Sequence, residues 1–189
     1  MLCGSPVPFT PFHMGPGLAL KAVAGRHVSL MLFGFSQVMI DLEPAIRILR
    51  NDPFLHGFTH TYLGATLVAL VSVALGRPIC QRLLDHWKPD SDSRFLSWLR
   101  GSGRISWTAA LWGAFLGTFT HVSLDSIMHF DMEPLAPISS ANPLLRVVSI
   151  GWLHVFCVAS GLVGAVVLVS LFWLRGKSSG PAESPWHQN

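Results

Sequence analysis

SWTAALWGAFLGTFTHVSLDSIM, residues 106–128, is an apolar run long enough to cross a bilayer, and it carries His121 and Asp125 within it. About 20 apolar residues in a helix span the hydrocarbon. A carboxylate at the centre of such a helix costs about 2.5–3.5 kcal/mol on insertion scales, so an aspartate there implies a partner and a task. Three further runs lie on either side: Val28 to Ile40, closed by Asp41 and Glu43; Thr59 to Leu75; and Val147 to Leu174. Met14 to Ala24 is too short to span alone and reads as a half-depth helix packed against the others. The expected fold is an all-α membrane protein with about four transmembrane helices plus that short N-terminal half-depth helix. Residues 1–175 form a single helical membrane domain. Residues 176–189, rich in Ser, Pro and Gly, read as a disordered cytoplasmic tail.

Composition agrees. Half of the 189 residues are hydrophobic and 12% are charged, against about 25% charged in a soluble domain. The first seventeen residues hold four prolines and no charged n-region, so no cleaved signal peptide is expected. Cys3, Cys80 and Cys157 are far apart with no CxxC pair, which excludes a thiolate zinc site and a disulfide framework. A net charge of +3 without a basic, aromatic-interleaved run excludes nucleic acid as a partner. Gly113 with Gly117, and Gly161 with Ala165, have the spacing of close helix contacts. Trp107, Trp152 and Trp173 stand near predicted helix ends, where interfacial anchors belong.

Orientation follows from Lys and Arg. Lys21, Arg26, Arg77, Arg82, Lys88, Arg94, Arg100, Arg104, Arg175 and Lys177 fall on one side; Arg47, Arg50 and Arg146 fall on the other. The positive-inside rule places the first set in the cytoplasm, with the C-terminus, in a multi-pass protein of the cell's inner membrane. The outer side then collects His13, Asp41, Glu43, His56, His60, His121, Asp125, His129, Asp131 and His154. His27, His86 and His187 fall elsewhere and read as solvated.

His and Asp from separate segments at one level are the makings of a metal site. His56 and His60 share a helix face, and His121, Asp125 and His129 run i, i+4, i+8. An i, i+4 pair can chelate one cation. The third member lies about 12 Å along the axis from the first, so either the stripe serves two ions or one member orients another ligand. His with carboxylate suits zinc, with manganese or iron as alternatives, better than calcium.

The runs TPFHMGPG at 10–17, DLEP at 41–44, HGFTHT at 56–61 and HVSLD at 121–125 occur in this order. On these motifs, over roughly residues 10–135, the chain resembles the YdjM-like family of inner-membrane metal-dependent hydrolases. That family is in turn related to zinc-dependent phospholipase C and single-strand nucleases, helical phosphoesterases. The resemblance implies His13, Asp41, His60, His121 and Asp125 as metal ligands, with His56 and His129 as further ones. The chain departs from the pattern in two places: Ile40 precedes Asp41 where the family often has Pro, and no late His-x3-Glu pair follows residue 131.

The functional expectation is a hydrolase using a divalent metal on a phosphoester, a membrane lipid among the candidates, at the outer face. Asp41 or Asp125 would bridge two ions, and Glu43 would stand unliganded as general base. The alternatives are a metal-ion or proton transporter, and a non-catalytic protein in which the cation staples helices. Leu67 to Leu75 and Trp107 to Leu116 hold no ionisable residue, which favours a one-sided site over a transport path. The substrate and the oligomeric state are open at this point.

Overall fold

The structure, a computed structural model, describes residues 10–87, 94–100 and 103–178. The described residues are helical with no strand. The helices are α1 (Met14–Ala24), α2 (Leu30–Ile40), α3 (Leu42–Leu49), α4 (Tyr62–Val71), α5 (Arg77–His86), α6 (Arg94–Arg100), α7 (Trp107–Met128) and α8 (Ile150–Ser178). A π-turn, Ser72–Gly76, joins α4 to α5 as one helical rod. Hydroxyls set three starts. Ser29 accepts from the Leu32 N–H, Thr61 from Gly64 and Ser106 from Ala109, each satisfying an amide left over in a first turn.

Among the described residues two helices, Tyr62–His86 and Ile150–Leu174, are by length and composition candidates to cross a membrane, where four were expected. Val28 to Ile40 yields only the 11 residues of α2, rising about 16 Å, because Asp41 ends it and the chain turns directly into α3. α7 has the length, with 22 residues, but its glycines, its hydroxyls, His121 and Asp125 leave it less apolar. The expected polar connection 80–105 is also partly helical: α5 continues to His86, and α6 follows. α8 runs through Ser178; residues 179–189 of the expected tail, and Cys3, lie outside the described residues.

Packing register decides what meets at the site. The Ser29 N–H donates to the Ala109 carbonyl at 3.0 Å. Gly113 lies against the Ser29 carbonyl, and Gly117 against Phe33 and Ser36. α2 and α7 therefore run parallel and in step, which brings Asp41 level with His121. α1 is antiparallel to α2: Gly17 faces Phe33, the His13 carbonyl accepts from Gln37, and the Lys21 ammonium donates to the Val28 carbonyl. α4 starts at the same end as His13. Tyr62 meets Ser123 near the end of α7, while Ala69 and Val73 pack on Ala110 and Ala114. α8 lies along α1, with Gly161 on Gly15 and Gly164 on Leu18 and Ala19.

The segment after α7 folds back over its end. The Asn142 amide donates to the Ser126 carbonyl, and the Arg146 N–H to that of Ile127. Beneath the site, Ile40, Ala65, Val122 and Met132 form one buried cluster; further along lie Leu32, Ala69, Val73, Ala110 and Ala114. The outer face of α8 is bare: only 17% of its apolar stretch is buried, and Leu162, Val163, Val166, Trp173 and Leu174 stand exposed.

A side chain at Gly117 tests the crossing of α2 and α7. Its Cβ would lie 2.6 Å from the Phe33 carbonyl oxygen. Gly117→Val should force the helices apart and cost about 1–3 kcal/mol, read as a lower melting temperature in detergent. Gly151→Ala, with nothing within 4 Å of the added Cβ, should leave it unchanged.

Candidate metal centre

Four ligand atoms, from Asp41, His60, His121 and Asp125, all lie within 4.8 Å of one another. His121 Nε2 is 3.0 Å from Asp125 Oδ2 and 3.1 Å from Asp41 Oδ1. His60 Nε2 is 3.6 Å from the same Asp125 oxygen and 3.8 Å from the same Asp41 oxygen. Ligands held at about 2.1 Å from one ion stand about 3.0 Å apart at right angles and about 3.4 Å apart at the tetrahedral angle. The spacings fit that pattern.

Direction fits as well as distance. His56, His60, His121 and His129 each bury an Nε2 with no hydrogen-bond partner in the protein, and both Asp125 oxygens are likewise unpartnered. His121 Nε2 stands within ion-pair distance of two carboxylate oxygens. Buried polar atoms are almost always paired. Six orphans in two neighbouring groups are what bound cations would satisfy. The donor set, imidazole with carboxylate, suits zinc, manganese or iron.

The far side of the His56, His60 and His121 rings is held by the protein. The Thr59 hydroxyl donates to Glu43 Oε2 at 2.6 Å, so its oxygen accepts from His60 Nδ1 at 3.1 Å. Asp131 Oδ1 accepts from His56 Nδ1 at 2.9 Å, and its Oδ2 takes the N–H groups of Leu55 and His56. Both rings therefore carry their proton on Nδ1, leaving the Nε2 lone pair directed inward. The His121 Nδ1 lies in hydrogen-bonding geometry with that of His13, at 3.3 Å.

Glu43, expected as an unliganded base, is committed elsewhere. Oε2 accepts from Thr59, and Oε1 accepts from Arg47 at 2.9 Å. Burial raises its pKa, but the Thr59 hydroxyl and N–H, and then Arg47, outweigh this and hold the carboxyl below its ordinary value. Asp131 behaves alike: burial opposes its charge, and the His56 ring and the N–H groups of His56 and Leu55 prevail. Burial also holds His56 and His129 below the usual imidazole value, so both rings stay neutral with a lone pair to give.

His56 and His129 form a second group with Asp131, their ligand atoms also within 4.8 Å of one another. The two rings lie 4.5 Å apart, and His56 Nε2 stands 4.0 Å from Asp125 Oδ2. The i, i+4, i+8 stripe does not persist as a helical line, because α7 ends at Met128 and His129 has extended backbone. His13 lies 3.6 Å from Asp125 Oδ1, so all seven expected metal residues come together. His154 points away, bonded to the Ile150 carbonyl and edge-on to Phe12. Thr59 and Gly57 escaped sequence reading. Thr59 stands beside His60 in HGFTHT, and a Cβ at Gly57 would collide with Glu43 and Arg47.

Comparison of the chain with protein families, with curated proteins and with solved structures yields no match.

The Thr59 bridge is testable without touching a ligand. Thr59→Val keeps the shape and removes the bond to His60. Metal affinity should fall about 10–100-fold, measured by competition with a chromogenic chelator, while the helical circular dichroism stays unchanged.

Proposed function

We propose that this protein is a membrane-bound, metal-dependent hydrolase of phosphoesters. The observation that carries the reading is the set of buried Nε2 and carboxylate atoms without partners on His56, His60, His121, Asp125 and His129, gathered from two stretches of the chain at one end of the bundle, with Asp41 of a third stretch beside them. Asp41, His60, His121 and Asp125 would hold one divalent ion; His56 and His129 would hold a second, with Asp125 between them. Bound there, such ions supply positive charge for a phosphoryl oxygen and render water acidic at neutral pH. Asp41 is the most open of the first four, its side chain 22% exposed against none for Asp125. Substrate therefore approaches past Asp41. Asp131 and the Glu43–Thr59 pair keep the His56 and His60 rings aimed.

The bare face of α8 supports a membrane setting, since an apolar surface of that extent in water would invite association. We place α7 across the bilayer too, its polar residues turned to the site, with α1 and α2 at half depth. Lys and Arg place the site at the outer face of the inner membrane and the C-terminus in the cytoplasm. A lipid phosphoester is the favoured substrate. An apolar groove of about 550 Å³ is lined by Pro16, Ala19 and Leu20 of α1, by Phe119 and Leu124 of α7 and by Phe156 of α8. It adjoins the site residues in sequence, with Leu124 next to Asp125, and suits an acyl chain. The motif resemblance to the YdjM-like hydrolases agrees with this reading. A transporter is disfavoured, because Leu32, Ala69, Ala110 and Ala114, further along α2, α4 and α7 from the site, are buried and apolar.

Asp125→Asn tests the hydrolase against a structural staple. It keeps the side-chain size and removes the charge, so insertion should become easier and the protein should accumulate. Metal content by elemental mass spectrometry should fall, and turnover of a phosphoester panel that includes native lipids should drop by orders of magnitude. His86→Ala, an exposed residue bonded only within its own helix, should change neither. Wild-type protein that binds metal but cleaves nothing on the panel would leave the staple. Full metal content and activity in Asp125→Asn would remove Asp125 from the site.

A chelator separates shared from local binding. A cation held by several helices stabilises only the folded state, by RT ln(1 + [L]/Kd). Verified metal removal should therefore lower the melting temperature of the wild type; an unchanged curve would mean that no helices share the ion.

A further inference from the structure

We infer that His13 is a positioning residue for His121 and not a metal ligand, an inference that rests on the metal reading above. His13 and His121 face each other through Nδ1 at 3.3 Å, with ring centroids 4.7 Å apart, rings almost perpendicular, and both side chains buried. A neutral imidazole carries one N–H, on one nitrogen or the other. Only one of the two Nδ1 atoms can therefore hold the proton they share.

If His121 Nδ1 donates, its Nε2 is a bare lone pair directed between Asp41 and Asp125. The His13 Nδ1 then accepts, and the His13 proton sits on Nε2, which cannot ligate. If His13 Nδ1 donates instead, His13 Nε2 is free to ligate, but His121 must carry its proton on Nε2, among the ligand atoms. The contact thus lets one ring of the pair bind a cation and denies it to the other. His121 is the one that binds. Its Nε2 belongs to the four-atom group and lies 3.0 and 3.1 Å from two carboxylates, while His13 Nε2 lies 3.6 Å from a single carboxylate oxygen.

The neighbouring rings follow the same plan. His60 gives its Nδ1 proton to Thr59, and His56 gives its own to Asp131. His13 completes the set as the acceptor for His121, so three inward rings share one tautomer, each fixed from behind. The Gln37 amide, bonded to the His13 carbonyl, holds that acceptor in place.

Cobalt titration of the full chain in detergent separates the roles through bound equivalents and the visible coordination spectrum. His13→Ala should keep the wild-type equivalents and spectrum at saturating cobalt, with Kd raised about 10–100-fold. His13→Gln, whose carbonyl oxygen can accept from His121 Nδ1, should recover most of that affinity. His121→Ala should lose at least one equivalent and change the spectrum. The inference is overturned if His13→Ala loses an equivalent or shifts the spectrum as His121→Ala does. Should His13→Ala fail to fold, His13→Gln decides by the same two readouts. Wild-type protein that takes up no cobalt would instead bring down the metal reading itself.

Discussion

The Asp125 carboxylate is fully buried in a helix bundle, and both of its oxygens lack a hydrogen-bond donor. A bare negative charge in such surroundings is expensive unless compensated. Compensation comes from rings delivered by separate segments: His121 from the turn before it on α7, His60 from the head of α4, His56 from the loop preceding α4, and His13 from the head of α1. Those rings are short of partners themselves. A cation among these atoms would satisfy them together.

Delivery depends on register rather than on side-chain chemistry. Gly113 and Gly117 let α2 lie against α7 at backbone distance, and the Ser29–Ala109 hydrogen bond pins the two in step. Asp41 then arrives level with His121. The hydroxyl of Thr61 caps α4, so His60 stays in the 3-10 turn Phe58–His60, where Thr59 reaches its Nδ1. Asp131, returning after α7, ties the His56 ring from the opposite side. The small residues and the caps thus do their work for the site through the backbone.

Two surfaces flank this centre, and they differ in kind. The interior next to the site is apolar, with Ile40, Ala65, Val122 and Met132 buried together. The exterior along α8 is apolar and uncovered, and an apolar groove lies between α1, α7 and α8, with Leu124, the residue before Asp125, in its lining.

Much of this was legible in the chain itself. Apolar runs announced the helices, because 3.6-residue periodicity and continuous hydrophobicity are local properties, and an aspartate within such a run announced a site because burying its charge is costly. Every histidine and aspartate expected at a metal converges in the structure. Two helices among the described residues meet the length and apolarity of a crossing helix, where four were expected; Asp41, which the sequence shows closing the first run, ends α2 after 11 residues. The sequence by itself determined the all-helical character and the residue types at the site. Only the tertiary structure decided their roles. Whether Glu43 is a base or a brace for Thr59, and which face of His121 meets His13, depends on distances between segments up to 108 residues apart, and no local pattern encodes those distances.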